Sequence, residues 1–145
     1  MDTITVRHAS KIRIYWCVWL GVVVLVLLLR FTVFLGASSD RLFAFASVYM
    51  VSTWLSVMVL NIVEGKRLSS YLQQHHPRKW QWLTCVPGLG SGMYNSFRSL
   101  PWLYSADDLG YPLVAALKND QKNVIKWALT VFFSYAVVLP ILLGV

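Results

Sequence analysis

Groups that could do chemistry are densest in HHPRKWQW, residues 75–82, which holds two imidazoles, two cations and two indoles. A zinc site needs three or four converging ligands at characteristic spacings. His75 and His76 are adjacent, so their side chains diverge on a helix, and Cys85 is the only soft ligand nearby. The stretch therefore predicts neither a metal centre nor a cofactor site.

Nucleophilic catalysis would need a cysteine or serine beside a positioned base. Cys85 is the candidate nucleophile of this region. The groups that could serve it as base or orienting carboxylate are His75, His76, Asp107 and Asp108. No motif connects these residues, so the sequence predicts no catalytic residue, and an enzyme acting at the bilayer is kept as an alternative.

Phosphate and nucleic-acid binding receive little support. The stretch GLGSG, residues 88–92, has no strand before it and no Gly-Lys-Ser/Thr after it, as a phosphate-binding loop requires. Basic residues beside Trp80 and Trp82 could stack on nucleic-acid bases. Because apolar runs flank this region, a membrane surface is the nearer acidic and amphipathic partner, and we expect no nucleic acid.

The composition makes lipid the expected solvent. The chain of 145 residues is 57% hydrophobic and 13% charged, with a mean hydropathy of +0.58. A soluble domain of this size cannot hide so much apolar surface. The net charge of +7 then indicates cytoplasmic loops attracted to anionic headgroups. Two cysteines are too few for a disulfide framework, and we expect both to be reduced.

Three apolar runs lie at 15–35, 42–63 and 124–145. Each has the length of about 20 residues that a helix needs to cross a bilayer. The first exceeds the apolar part of a cleaved signal peptide, roughly 7–15 residues, so we interpret it as a retained anchor. The sequence predicts an all-α membrane protein, a single membrane domain over 1–145 with three transmembrane helices and short helices in a cytoplasmic segment at 64–123.

The distribution of basic residues predicts the orientation. Arg7, Lys11 and Arg13 precede the first run, whereas Arg41 is the basic residue between the first two runs. Seven further Lys and Arg residues lie between the second and third runs. The positive-inside rule then places the N-terminus and the segment 64–123 in the cytoplasm, and the C-terminus on the periplasmic or external side.

Two features within the runs each allow two interpretations. Arg30 lies near enough to the outer end of its helix for the guanidinium to snorkel to the headgroups, or it faces the helix bundle as a site charge. No carboxylate lies within any run to pair with it. The spacing Ser52-xxx-Ser56 lets two helix backbones approach closely, within the chain or between chains.

Prolines and glycines divide the segment 64–123 into expected short helices. Residues 64–74 would continue the second span, and Pro77 would start a short helix, because proline suits the first helical position. Asp107 or Asp108 would cap a last helix that runs into the third span.

The residue types of the opening stretch fit a membrane interface or a partner-binding surface. Indoles favour the headgroup zone, and neighbouring cations attract anionic headgroups. The alternative is that Trp80 and Trp82 pack as ordinary core. The predicted site residues are His76, Pro77, Arg78, Lys79, Trp80 and Trp82.

The run LQQHHPRKWQWLTCVP, residues 72–87, resembles an L-x-x-x-H-P-x-x-W-x-x-L…P pattern. That pattern is found in small bacterial inner-membrane proteins, including ones similar to universal stress protein B. The resemblance covers residues 61–145 and implies a bacterial inner-membrane location and a stress-linked role, but no activity. Two departures are Tyr111, where the family pattern has aspartate, and three spans where two are expected.

Together these observations predict a small integral inner-membrane protein without catalytic activity, an accessory or stress-related factor that binds anionic lipid or a protein partner through its basic segment. One alternative is a subunit of an oligomeric transporter or channel. Three spans without buried acids offer little for ion coupling, although a homo-oligomer could form a pore. The other alternative is a prophage-type membrane-active protein.

Overall fold

The structure, a computed structural model, describes residues 11–86, 90 and 95–144. Over that part of the chain every regular element is a helix, and Val86 with Gly90 forms an isolated β-bridge. The predicted all-α class is therefore confirmed. The helices are α1 (Ile12–Thr32), α2 (Ser39–His75), α3 (Pro77–Thr84), α4 (Ser96–Tyr104) and α5 (Pro112–Leu143).

Three of these helices, α1, α2 and α5, are long and apolar enough to cross a membrane. Their most apolar stretches have mean hydropathies of 2.4, 1.8 and 1.9. Within those stretches 11% of the residues of α1 and 22% of those of α2 and α5 are buried inside the protein, so most apolar side chains face outward. Such an outward face is stable in lipid and not in water. The prediction of three membrane-compatible helices is confirmed.

Two helices extend beyond the apolar runs. α2 has 37 residues and continues to His75, which agrees with the predicted continuation of the second span through 64–74. α5 begins at Pro112, which agrees with the predicted last helix that runs into the third span. An apolar run marks the part of a helix that lipid can cover, whereas the helix itself continues until its backbone is broken. Arg7, the glycine stretch other than Gly90, and Val145 lie outside the described residues.

The chain divides into two compact units. The terminal unit contains the described residues before 61 and after 124, and the central unit is Asn61–Val124. The central unit thus begins and ends close to the predicted segment 64–123.

The terminal unit is held together by a small apolar core and by polar contacts between helices. Thr53 on α2 and Tyr135 on α5 share a hydrogen bond between their hydroxyl oxygens, 2.6 Å apart. The tyrosine hydroxyl also lies 3.3 Å from the Met50 carbonyl oxygen, to which it can donate. The buried core residues are Val26, Ala46, Tyr49, Val138 and Leu142.

The serine pair of α2 does not contribute to this core. Ser52 and Ser56 are exposed, and their hydroxyls donate to carbonyls of their own helix, those of Val48 and Ser52, at 2.7 and 2.8 Å. Ala46 is the small residue of α2 that lies in the core. The pair is therefore not a packing face within the described part of this chain.

Arg30 faces the other helices of the terminal unit. Its Nε donates to the Leu142 carbonyl oxygen at 2.9 Å, and its Nη1 donates to the Phe34 carbonyl oxygen at 3.2 Å. Leu142 lies in the last turn of α5, where carbonyls have no intrahelical donor, so the guanidinium satisfies a group that lipid cannot. The Phe34 carbonyl, in the turn after α1, also accepts from the Ala37 N–H at 3.2 Å. Gly144 follows α5 with a φ of 76°, and a Cβ there would lie 2.9 Å from Arg30 Nη2.

Candidate functional site

The two histidines of the opening stretch lie beside the same tyrosine. His75 stacks on Tyr71, with ring centroids 4.4 Å apart, and the ring of His76 lies 6.2 Å from that of Tyr71. His76 precedes α3, and its ring also meets the ring of Tyr111 edge-on at 4.7 Å. The buried Nε2 of His76 has no hydrogen-bond partner among the described residues.

The two indoles of α3 also separate. Trp80 is half-buried, and its Nε1 donates to Ser69 Oγ at 3.0 Å, which fixes α3 against α2. Trp82 is 49% exposed. Trp80 therefore packs against α2 while staying partly exposed, and Trp82 remains available to an outside partner.

The neighbouring cations differ in the same way. Pro77 and Arg78 are exposed, and Arg78 makes no ion pair with a described residue. Lys79 Nζ forms an ion pair with Asp107 Oδ2 at 2.8 Å, and it lies 4.9 Å from the centroid of the Trp82 ring. Lys79 therefore joins α3 to the turn before α5, and Arg78 is the cation that faces outward.

Lys79 belongs to a larger arrangement, here called the basic-aromatic cluster. Lys118 on α5 is 3% exposed, and its Nζ donates to the carbonyl oxygens of Ser105 and Asp107 at 3.0 and 2.8 Å. The same ammonium lies 4.4 Å from the centroid of the Trp102 ring. Trp102 Nε1 in turn donates to Asp107 Oδ2 at 3.1 Å. The cluster consists of Lys79, Trp82, Trp102, Asp107 and Lys118.

The carboxylate of the cluster is held ionised. The hydrogen bond from Lys79 is the main reason that the pKa of Asp107 lies below its ordinary value of 3.8. Burial opposes this shift and is the second-largest effect, while hydrogen bonds from the Leu109 backbone N–H and the Trp102 indole lower the pKa further. At neutral pH the Asp107 carboxylate is therefore ionised beside the amino group of Lys79.

Asp107 and Asp108 lie in a turn and not at the N-terminus of α5. Their Oδ1 atoms accept from the backbone N–H groups of Leu109 and Gly110, both at 3.2 Å. Leu109 and Gly110 have positive φ angles of 59° and 73°, which turn the chain before α5 starts at Pro112. The predicted capping role for these aspartates is therefore wrong, because their acceptors are used locally.

α4 is fixed at its start by Asn95. The Asn95 side-chain oxygen accepts from the Phe97 N–H at 3.1 Å, which makes Asn95 the N-cap. Its amide nitrogen donates to the Cys85 carbonyl oxygen at 2.7 Å, at the end of α3. Arg98 also reaches α3, because its Nη1 donates to the Trp82 carbonyl oxygen at 3.2 Å and its guanidinium lies 5.6 Å from the Trp82 ring centroid.

A cavity of about 70 Å³ lies inside the central unit, between Trp80, Leu72 and Leu103, with Ser69 and Gln121 as polar neighbours. An engineered cavity of about 150 Å³ is known to hold benzene, so this volume suits water better than an organic ligand. The buried Gln121 Oε1, which has no hydrogen-bond partner among the described residues, would accept from such a water.

The groups considered for catalysis or metal binding do not converge. The histidines contact tyrosines, Asp107 pairs with Lys79, and the backbone carbonyl of Cys85 accepts from Asn95. Over the described residues no group of three His, Cys, Asp or Glu side chains could hold a metal ion. The contacts of His75, His76 and Asp107 are with aromatic rings and with a cation.

Comparisons with protein-family models, with curated proteins and with solved structures give no match for this chain. The interpretation of the site therefore depends on its own geometry. That geometry includes Trp102, Lys118 and Arg98, which are not among the predicted site residues.

Proposed function

We propose that the chain is a small integral membrane protein without catalytic activity whose central unit binds anionic lipid headgroups. The observation that carries this proposal is the half-exposed ring of Trp82, with Lys79 Nζ at 4.9 Å and the Arg98 guanidinium at 5.6 Å from its centroid. An indole beside cations suits the headgroup zone, where the ring meets apolar atoms and the cations meet phosphates.

The charge of the central unit supports this partner. Residues 61–124 contain seven Lys and Arg against four Asp and Glu. Two of the four acids, Asp107 and Glu64, form ion pairs with Lys79 and Arg67 inside the unit. Exposed Arg78 adds a positive charge beside Trp82, so the surface around this ring favours an anionic partner.

The proposed orientation has the N-terminus and the central unit in the cytoplasm, with the C-terminus on the periplasmic side of a bacterial inner membrane. It follows from the positive-inside rule and from the resemblance to small inner-membrane proteins. A stress-linked role rests on that resemblance alone.

Labelling of cysteine in whole cells tests the orientation. Arg78→Cys in a Cys17→Ser, Cys85→Ser background should react with a membrane-impermeant maleimide after lysis and not before. Ser38→Cys, in the exposed turn between α1 and α2, should already react in intact cells. Labelling of position 78 in intact cells would overturn the orientation.

Native mass spectrometry of the full-length protein tests the lipid preference. In micelles with equal phosphatidylglycerol and phosphatidylcholine, the wild type should retain mainly phosphatidylglycerol. Removing one interfacial cation costs about 1 kcal/mol, so Arg78→Gln should lower the preference about fivefold. Arg41→Gln, which removes an exposed cation of the terminal unit, is the matched control. Equal retention of both lipids by the wild type would contradict lipid binding and favour a protein partner.

A further inference from the structure

The exposed face of α4 is apolar. Phe97 is 92% exposed, Tyr104 53% and Leu100 39%, and Pro101 is exposed beside them. Their positions follow the spacing i, i+3, i+4, i+7, which places them on one side of a helix. These four residues are here called the α4 stripe.

The opposite face of α4 already supplies the core of the central unit. Trp102 and Leu103 are buried, at 6% and 3% exposure. Asn95 fixes the start of the helix to the end of α3, and the indole of Trp102 bonds to Asp107 near the other end. Contacts on its buried side thus fix α4 in place. The exposure of the α4 stripe is therefore not the result of a loosely held helix.

Cations border the α4 stripe. Arg98 follows Phe97 in sequence and lies over the exposed ring of Trp82, and Lys122 lies 5.7 Å from the ring centroid of Tyr104. Asp107, an acidic residue that follows α4, forms an ion pair with Lys79. An apolar strip with aromatic rings and flanking cations is the pattern of a helix that lies in the membrane interface.

We propose that α4 is an in-plane membrane helix, with the α4 stripe inserted below the lipid phosphates and Arg98 and Lys122 at phosphate level. A helix of nine residues is too short to cross the bilayer, which takes about 20. The occupant of this face is the bilayer because the same chain carries three membrane-compatible helices, which keep lipid within reach of the central unit. The inference rests on the proposed contact of the central unit with lipid, and it assigns the apolar part of that contact to residues outside the predicted site.

Spin labelling of the full-length protein tests this inference. Single cysteines replace Phe97, Leu100 or Tyr104 in the Cys17→Ser, Cys85→Ser background, and each labelled protein is placed in nanodiscs of phosphatidylcholine alone. Oxygen and a nickel chelate then report the depth of the label. Labels at 97 and 100 should lie about 5–10 Å below the phosphates. Labels replacing Gln81 and Asn119, exposed polar residues of α3 and α5, are the matched controls and should be accessible to the nickel chelate.

A further variant guards against an effect of the label itself. Phe97→Ser should move a label at position 100 towards the phosphates, while a label at 119 keeps its accessibility. Nickel accessibility at 97 and 100 equal to that at 81 and 119 would overturn the inference. Protection at 97 and 100 from both oxygen and nickel would also overturn it, since that is the signature of a protein contact.

The two proposals can fail separately. If labels at 97 and 100 lie in phosphatidylcholine but the protein shows no preference for phosphatidylglycerol, the proposed headgroup binding is wrong and the in-plane helix is supported. A preference for phosphatidylglycerol with water-accessible labels at 97 and 100 would do the reverse.

Discussion

The terminal and central units both hold a basic side chain against two backbone carbonyls, and the two side chains differ in burial. Arg30 is half-buried, donates to the carbonyls of Leu142 and Phe34, and lies 5.8 Å from the centroid of the Phe31 ring. Lys118 is 3% exposed, donates to two carbonyls of a turn, and lies 4.4 Å from the centroid of the Trp102 ring. Both cations are therefore held by backbone carbonyls and not by a carboxylate. We expect the more buried of the two to contribute more to stability.

The largest effect is expected for Lys118→Met. This change leaves two turn carbonyls without their donor and removes the cation over Trp102, and we expect a loss of about 3 kcal/mol of local stability. Hydrogen exchange of the amides at 105–110 in nanodiscs should then be about 100-fold faster. Lys122→Met, which removes a cation near Tyr104, should change this exchange by less than about threefold. Equal effects of the two changes would show that Lys118 does not stabilise this turn more than Lys122 does.

Arg30→Met should cost less, about 1–2 kcal/mol, because two hydrogen bonds are lost and the side chain is only half-buried. Unfolding of the full-length protein in mixed micelles containing dodecyl sulfate measures this loss. Arg30→Lys should lie between Met and wild type, since an ammonium lacks the planar fork of a guanidinium. Arg41→Met is the exposed control. A loss larger than that of Lys118→Met would reverse the comparison of the two units.

Gly144→Ala sharpens the role of Arg30. The positive φ alone should cost about 1 kcal/mol with any side chain other than glycine. Gly36→Ala is the matched control, because Gly36 has a φ of 75° and nothing within 4 Å of a built Cβ. In the same micelle assay, Gly144→Ala should lower the stability more than Gly36→Ala does. This difference should vanish in the Arg30→Met background. An excess that persists there would show that Arg30 is not the obstacle.

Thr53→Val should have a smaller effect, about 0.6 kcal/mol, which is typical of one hydrogen bond between helices in a membrane. It removes the Thr53–Tyr135 contact without changing the shape of the side chain. Thr130→Val is the control because the Thr130 hydroxyl bonds to Lys126 of its own helix. Equal unfolding midpoints for the two variants would mean that the contact adds nothing.

The smallest effect is expected from acid. Because the pKa of Asp107 is lower in the folded protein than its ordinary value of 3.8, the ion pair stabilises the cluster at neutral pH. That contribution persists as the pH falls to the ordinary value and is lost as the pH falls through the lowered pKa. Near-ultraviolet circular dichroism of the tryptophans between pH 7 and pH 2, a range of about 5 units, follows the loss. Asp107→Asn should lack this component, and an identical titration in both proteins would exclude Asp107 as its source.

The three long helices were predictable because an apolar run is a local property of the chain. The interior of the central unit was not predictable in that way. Lys79 pairs with Asp107, 28 positions along the chain, and no local pattern marks either as the partner of the other. The assignment of Trp80 to the interior and Trp82 to the exterior likewise depends on where Ser69 of α2 lies.

The α4 stripe shows a signal that was present in the sequence and was missed. Phe97, Leu100, Pro101 and Tyr104 have helical spacing, although a proline inside a helix usually breaks it. α4 continues through this proline and ends at Tyr104. The hydrogen bond of Arg30 could not be predicted from local sequence, since its acceptor at Leu142 lies 112 residues away.

The α4 stripe also determines how the central unit will behave as a separate protein. Residues 61–124 are contiguous, so a fragment free of the apolar spans is simple to produce. It would still carry Phe97, Leu100 and Tyr104 on its outside, and such surfaces drive self-association in water. Deleting the spans would therefore yield a fragment that aggregates in water. Polar replacements at 97 and 100 are the changes that would keep it monomeric.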